Sequence, residues 1–73
     1  MPKLPTVSGF ELIRVLERLG FEQVSQRGSH VKLRRGSVRC IVPLHRELKK
    51  GTLYGILTEA GISTDEFRRI LTH

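Results

Sequence analysis

The hydrophobic residues near the start of the chain recur at helical spacing. Ser8 and Glu11 have the spacing of a capping box, in which the serine hydroxyl and the glutamate carboxylate accept hydrogen bonds from free backbone N–H groups. The apolar residues that follow form one stripe: Leu12, Ile13, Leu16 and Leu19. Gly20 and Phe21 come next, where a helix stop is expected. The pattern predicts a first helix, after an extended lead-in over Met1–Val7.

The middle of the chain alternates apolar and polar residues with a period of two, as half-buried strands do. Residues 30–34 and 38–42 alternate cleanly, whereas 22–27 is a weaker strand candidate. We expect a turn at Gly28-Ser29 and a two-residue hairpin loop at Arg35-Gly36. The cross-strand pairs expected from that loop are Arg34 with Ser37, Lys32 with Arg39, His30 with Ile41, Leu33 with Val38 and Val31 with Cys40.

This register gives the two faces of the sheet opposite characters. The apolar residues face the core, and a slip of one residue would bury charges. The outer face then carries a histidine among cations: His30, Lys32, Arg34 and Arg39. The alternation therefore predicts a basic sheet surface around His30.

The last third of the chain predicts two helices. Pro43 ends the third strand, and a polar connector, Leu44–Lys50, leads to a helix from about Gly51. Its buried stripe is Leu53, Ile56, Leu57 and Ala60, and Gly61-Ile62 is its stop. Ser63–Glu66 is a second capping box, opening a short helix that turns Phe67, Ile70 and Leu71 inward. We also expect Phe10 and Phe21 in the core and Tyr54 in the core or at its rim.

Together these elements predict an α+β fold. The order is helix, three antiparallel strands, helix and short helix, with the helices on one face of the sheet. Seventy-three residues are too few to bury two cores, so we expect residues 1–73 to form a single domain, with disorder at the terminal His73. Its chemistry must then take place on an open face, which favours a macromolecular substrate.

The charge is concentrated in the middle of the chain. The net charge is +6 and the pI about 10.5. Residues 27–50 hold eight basic side chains against Glu47 alone, a net charge of +7, while the remainder carries −1. Such a cluster favours binding to nucleic acid or to an acidic protein, although a charged stretch can also be an ordinary solvated face.

Cysteine usage and hydropathy indicate the compartment. Cys40 is the only cysteine, so no internal disulfide forms, which fits a reducing cytoplasm. The first seven residues lack the apolar core of a signal peptide. No apolar run approaches the roughly 20 residues that cross a bilayer, so we expect no membrane contact.

Histidine among fixed cations suits acid–base work on a polyanion, because its unperturbed pKa is about 6.5. RNA carries its own nucleophile, the 2′-hydroxyl, so cleavage needs only proton transfer and charge stabilisation at phosphate. His30 is the first candidate and His45 a possible second, although either can be a plain surface histidine. We expect no metal site, because Cys40 faces the core while His30 faces outward.

Several short motifs resemble one family. They are Gly28-Ser29-His30, Pro43-Leu44-His45, and Leu48-Lys49-Lys50-Gly51-Thr52-Leu53 with Ile56-Leu57 and Ala60-Gly61-Ile62-Ser63. In this combination the chain resembles the HicA family of bacterial toxins, over nearly its whole length. The resemblance implies a double-stranded-RNA-binding-domain-like fold, cofactor-free cleavage of messenger RNA that arrests translation, catalysis by His30, and neutralisation by a HicB-like antitoxin.

The expected site combines this resemblance with the charge pattern. His30 is the expected catalytic residue, and Gly28, Ser29 and His45 are possible auxiliaries. The residues expected to bind RNA are Arg27, Lys32, Arg34, Arg39, Lys49 and Lys50, the last two at a helix start that attracts anions. The antitoxin should be acidic where it covers the basic face and His30.

Two other functions fit parts of the sequence. A non-catalytic RNA-binding module would use the same basic face by shape. A DNA-binding helix-turn-helix is outlined by Leu53–Leu71, but Asp65 and Glu66 would open its recognition helix and oppose docking to phosphates. No aromatic row lies on the sheet face, so backbone contacts should dominate and sequence selectivity should be poor.

Overall fold

The computed structural model describes residues 4–72 and confirms the predicted order of elements. The helices and strands are α1 (Gly9–Arg18), β1 (Glu22–Arg27), β2 (His30–Arg35), β3 (Val38–Pro43), α2 (Lys50–Ala60) and α3 (Thr64–Leu71). Residues 4–7 of the expected lead-in belong to no helix or strand, while its first three residues and His73 lie outside the described part.

The sheet is three-stranded and antiparallel in the order β1-β2-β3, and the helices cover one of its faces. Alternate residues of β2 and β3 are buried against them: Val31, Leu33, Cys40 and Val42. α2 packs mainly on β3, α1 on β3 and β1, and α3 on the two other helices. The predicted α+β fold is therefore confirmed. We call the opposite face of the sheet, which no helix covers, the outer face.

The helix ends follow the capping signals. Ser8 and Glu11 form the expected capping box at α1. Past the end of α1, the N–H groups of Gly20 and Phe21 donate to the carbonyls of Glu17 and Leu16, which is a Schellman motif. The same motif ends α2 at Gly61 and Ile62. At α3 the serine half of the predicted second capping box is formed, with the Ser63 hydroxyl accepting from the N–H of Glu66.

The hairpin between β2 and β3 is shifted from the predicted register. Its loop residues are Gly36-Ser37, not Arg35-Gly36. Shifting the loop by one residue moves each cross-strand partner by two, so every side chain keeps its face. The observed pairs are His30 with Pro43, Val31 with Val42, Lys32 with Ile41, Leu33 with Cys40, Arg34 with Arg39 and Arg35 with Val38.

Two features explain why this register is preferred. Gly36 becomes the first loop residue at φ +61°, a conformation that only glycine adopts without strain. Arg35 is freed from the loop and joins β2. Its guanidinium Nη1 donates to the Leu19 carbonyl at 2.6 Å and the group lies 4.7 Å from the centroid of the Phe21 ring, which ties the hairpin to the end of α1.

The prediction that Phe10 is a core residue was wrong. Its side chain is 62% exposed, whereas Phe21 and Phe67 are buried as expected and Tyr54 is 59% exposed. The helical period gives the reason, because Phe10 shares a face of α1 with the exposed Arg14 and Glu17 rather than with the buried stripe.

The segments that flank the elements contribute to the core more than predicted. Val7 in the lead-in and Leu48 in the nominally polar connector are both buried, and the N–H of Leu48 donates to the Val7 carbonyl at 2.8 Å. The lead-in therefore packs along the connector. Among residues 4–72, none of the helices combines the length and the apolarity needed to cross a bilayer.

β1 is an exposed edge strand. All six of its residues are exposed, and its pairing with β2 shifts between Gln23 and Ser25, which leaves Val24 as a bulge. A bulge bends the strand and increases its twist. β1 therefore lies at one edge of the sheet, next to β2.

Candidate nucleic-acid interface

The outer face is organised in three cross-strand rows. Each row takes one residue from each strand, and neighbouring rows are about 6.6 Å apart along a strand. The rows are Arg27–His30–Pro43, Ser25–Lys32–Ile41 and Glu22–Arg34–Arg39. Four of the six residues expected to bind RNA therefore share this face with His30. Lys32, Arg34 and Arg39 do so as predicted, and Arg27 joins them through its pairing with His30.

His30 begins β2, and Arg27 and Lys32 are its neighbouring cations on the outer face. Arg27 is its direct partner across the first hairpin, at a Cβ separation of about 5 Å for such a pair. Lys32 follows two residues along the same strand and hence on the same face. The expectation that Arg39 pairs with Lys32 and so lies close to His30 was wrong, because the shifted register moves Arg39 into the third row, opposite Arg34.

A concavity lies on the outer face beside His30. It encloses about 480 Å³ and is lined by Ser25, Gln26, Arg27, His30, Lys32 and Ile41. We call this concavity the His30 groove. It brings the expected catalytic residue together with two of the expected RNA-binding residues in one open depression.

The turn before His30 is held from two sides. Gly28 has φ +58°, and the side-chain amide of Gln26 donates to its carbonyl at 3.0 Å. From β3, the N–H of Leu44 donates to the carbonyl of Ser29 at 2.7 Å, which extends the pairing one residue beyond Pro43. Gly28 and Ser29 therefore set the position of His30 through their backbone.

His45 lies one residue beyond that hydrogen bond. Its side chain is exposed, and its carbonyl accepts from the N–H of Gly9 at 2.9 Å. A Cβ atom on Gly9 would overlap the Pro43 carbonyl oxygen and lie 3.0 Å from the Leu44 Cα. The first turn of α1 therefore presses directly on the segment Pro43–His45, which in turn contacts the turn before His30.

Lys49 and Lys50 lie at the start of α2. Lys49 is the N-cap residue and makes no side-chain capping bond, and the first turn of α2 carries no acidic residue. The ammonium of Lys50 donates to the Leu4 carbonyl, so this side chain is directed to the lead-in. Lys49 and Lys50 are thus set apart from the three rows of the outer face.

Cys40 has no part in this surface. It is buried on the inner face, and burial, with a smaller contribution from the negative charge of Glu59, raises the pKa of its thiol to about 11. Within residues 4–72, no group of three or more His, Cys, Asp or Glu side chains is placed to hold a metal ion.

One comparison with known proteins identifies the family. A family model described as the HicA toxin of bacterial toxin–antitoxin systems matches residues 9–62. The chain belongs to the HicA toxin family. A search of curated proteins returned no match.

The matched region contains α1, the whole sheet and α2, and with them the His30 groove. It ends before α3, so the third helix lies outside it although the resemblance was expected to extend to the last helix. Membership of this HicA family makes the chain a toxin-family protein whose relatives act in toxin–antitoxin pairs.

Sequence reasoning missed part of the groove. Ser25, Gln26 and Ile41 line it but were not among the expected site residues. Ser25 and Gln26 belong to the weakly patterned strand, and a bulge changes their facing in a way that alternation does not reveal. Ile41 carried one available signal: the clean alternation expected over residues 38–42 is broken there, because the apolar Ile41 occupies an outward position.

Proposed function

We propose that this HicA-family chain is a single-domain toxin that acts in the cytoplasm as an endoribonuclease on messenger RNA. The observation that carries the proposal is the setting of His30, exposed in the His30 groove between Arg27 and Lys32 on a basic sheet face. A proton-transfer group flanked by fixed cations is what phosphodiester cleavage requires. Loss of intact messages then arrests translation.

The reaction begins with the substrate's own 2′-hydroxyl. Its oxygen attacks the adjacent phosphorus, its proton leaves to a base, and the bond from phosphorus to the 5′-oxygen breaks as that oxygen gains a proton. The products are a 2′,3′-cyclic phosphate and a 5′-hydroxyl end. His30 serves as base or acid in this sequence, a contribution of about 10²–10⁴-fold in rate.

The cations stabilise the charge that develops on the phosphate oxygens. Arg27 and Lys32 adjoin His30, so their positive charges act at the reacting phosphate. Arg34 and Arg39 lie in the third row, roughly 13 Å along the strand from His30, and bind flanking phosphates instead. Lys49 provides a further contact at the α2 N-terminus, with Lys50 beside it, where the helix dipole favours anions.

Gly28, Ser29 and His45 support His30. The backbone of the Gly28-Ser29 turn sets where β2 begins. The hydrogen bond from the Leu44 N–H to the Ser29 carbonyl holds the residue before His45 against that turn. His45 is the candidate for the second proton-transfer group, since one group must accept a proton and another must supply one. This chemistry needs no metal or organic cofactor.

The partner of this toxin is a HicB-like antitoxin that covers the outer face and His30. Burying so many cations requires paired negative charge, so its docking surface is acidic. An antitoxin bound there excludes RNA from His30 by occupying the same surface.

The proposal is tested with purified protein and labelled messenger RNA. We expect the parent to cleave, His30→Ala to lose about 10²–10⁴-fold in rate, and binding of RNA to remain. His45→Ala is the matched histidine variant and should lose less than His30→Ala. A folded His30→Ala protein that cleaves as fast as the parent would refute the role of His30.

The chemistry of cleavage has its own test. A 2′-deoxy substitution at the cleaved nucleotide removes the nucleophile and should abolish cleavage there, while the product of the unmodified RNA should carry a 2′,3′-cyclic phosphate. A parent that binds RNA but cleaves none, in vitro or on induction in a bacterium, would instead indicate a non-catalytic RNA-binding module.

A further inference from the structure

An apolar side chain stands in the middle row of the basic outer face, on the edge strand β3. Ile41 is 49% exposed, although the other outward residues of β2 and β3 are cations, His30 and Pro43. A single exposed isoleucine is ordinary on a protein surface. Ile41 differs because it lines the same concavity as His30 and lies directly opposite Lys32.

The geometry places Ile41 one row away from the reacting group. His30 and Ile41 are diagonal neighbours on adjacent strands, a relation that separates two residues by about 7–8 Å and their Cβ atoms by somewhat less. Lys32 stands beside both, and Ser25 completes the row on β1. The middle row therefore presents three different groups in order across the sheet: the apolar side chain of Ile41, the ammonium of Lys32 and the hydroxyl of Ser25.

The volume of the groove suits a small ligand group. About 480 Å³ falls in the range of small-ligand sites, about 300–1,000 Å³, and accommodates one nucleoside. Its cationic lining residues complement a phosphate, and the apolar side chain of Ile41 in the lining complements the flat face of a base. These two chemistries occur together in a nucleotide.

We propose that Ile41 is the floor of a subsite that takes one unpaired base of single-stranded RNA beside the phosphate held at His30. The inference rests on the proposed ribonuclease function and adds its substrate class. The base must be unpaired, because the faces of paired bases are stacked inside a duplex and do not reach a side chain. Lys32 holds the phosphate of that nucleotide and Ser25 lies at its edge.

This subsite adds a contact with a base to the expectation that backbone contacts dominate RNA binding. An aliphatic platform has no hydrogen-bonding pattern, so it accepts any base and leaves sequence selectivity low. It does select unpaired over paired RNA, since only an unpaired nucleotide reaches the floor. The toxin should therefore cut in single-stranded stretches of a message.

The test combines variants with abasic oligonucleotides. A short single-stranded RNA with a 2′-deoxy residue at the cleavage site is bound to the full chain and followed by fluorescence anisotropy, with one abasic nucleotide moved stepwise along it. The variants are Ile41→Ala and Ile41→Thr, the latter keeping the β-branched shape that suits a strand. Tyr54→Ala is the matched control, an exposed apolar-to-alanine change on α2, away from the outer face.

We expect Ile41→Ala to weaken binding of intact RNA by about three- to tenfold, and Ile41→Thr to weaken it less, because apolar surface is removed from the platform. The parent should bind more weakly by a similar factor when the abasic nucleotide occupies the position next to the cleavage site. In Ile41→Ala that abasic effect should disappear, because the two changes remove the same interaction. Tyr54→Ala should match the parent throughout.

Other outcomes overturn the inference. If Ile41→Ala and the parent bind intact RNA equally well, the subsite is refuted. If the parent still cleaves RNA in that case, the proposed function stands. A weakening that is the same for every oligonucleotide, abasic or intact, assigns Ile41 a structural role. Unchanged RNA binding with weakened antitoxin binding assigns Ile41 to that interface. A parent that shows the coupling yet cleaves no RNA keeps the subsite and refutes the nuclease.

Discussion

At the scale of single residues, the sheet separates the two side chains whose chemistry is most reactive. His30 and Cys40 lie on neighbouring strands, but the alternation of side chains turns His30 to solvent and Cys40 to the core. Cys40 is 2% exposed, so it behaves as a small apolar residue. The chemistry of the outer face is therefore that of the histidine and its cations.

Cys40 should be inert towards thiol reagents in the folded protein. Burial raises the pKa of its thiol to about 11, so the reactive thiolate is scarce near neutral pH and the sulfur is covered. We expect labelling by a chromogenic disulfide reagent at pH 8 to be slow in buffer and fast in denaturant. Rapid stoichiometric labelling of the folded chain would contradict the inner-face placement.

The same pKa shift predicts a loss of stability at high pH. Because the folded-state pKa is raised, the neutral thiol favours folding below about pH 9, and this contribution is lost as the pH rises towards 11. Urea unfolding of the parent and of Cys40→Ala between these values tests the point. The parent's stability should fall more steeply than that of Cys40→Ala.

The adjacent residues Arg34 and Arg35 should have opposite phenotypes. Arg35 donates to the Leu19 carbonyl and stacks on Phe21, so Arg35→Ala should lower the free energy of unfolding by about 1–2 kcal/mol and change RNA binding little. Arg34 points to the outer face, so Arg34→Ala should weaken RNA binding and leave stability unchanged. Urea unfolding and anisotropy distinguish the two, and identical phenotypes would contradict the register.

At the scale of elements, the connector between β3 and α2 is held in place by segments distant in sequence. The Gly9 N–H donates a hydrogen bond to the His45 carbonyl, and the Leu48 N–H donates one to the Val7 carbonyl. The buried Leu48 side chain adds an apolar anchor. A connector without helix or strand is thereby fixed at both ends, close to the turn before His30.

Two glycines provide a matched test of this arrangement. A Cβ atom on Gly9 would collide with the Pro43 backbone, so Gly9→Ala should lower the free energy of unfolding by about 1–3 kcal/mol. Within residues 4–72, no atom lies within 4 Å of a Cβ added to Gly55, inside α2, so Gly55→Ala should raise stability by roughly 0.5–1 kcal/mol. Equal stabilisation by both in urea unfolding would show that α1 does not press on Pro43–His45.

At the scale of the whole molecule, the two sides of the sheet have different roles. The helices and the inner face hold the core, and the outer face concentrates positive charge. Because of this division, substitutions of charged residues on the outer face should leave the packing of the core unchanged. RNA and an acidic antitoxin should therefore compete for one surface.

Charge reversal on the outer face should remove both interactions together. The double variant Lys32→Glu with Arg34→Glu should bind neither RNA nor the antitoxin. For single changes to alanine, the slope of the logarithm of the RNA association constant against the logarithm of the salt concentration should become shallower by about 0.7 for each phosphate that is no longer neutralised. Arg14→Glu, an exposed change on α1, is the control and should have little effect. Antitoxin binding that survives the double variant would place the antitoxin elsewhere.

Much of this fold could be predicted from local patterns. Capping residues, stop signals and periodicity set the order of the elements, because each acts within a few residues of chain. The period of two also set the face of His30, Lys32, Arg34 and Arg39, since a two-residue change of partner leaves facing unchanged. The composition of the outer face is therefore a property of the sequence itself.

Tertiary structure decided which residues are neighbours on that face. Two-residue loops at Arg35-Gly36 and at Gly36-Ser37 suit the same alternation, and the choice depended on the φ of Gly36 and on the packing of Arg35 against the end of α1. That choice put Pro43 rather than Ile41 opposite His30 and left Ile41 beside Lys32 in the groove. Local pattern determines the face of a side chain, whereas only packing between distant segments determines its partner.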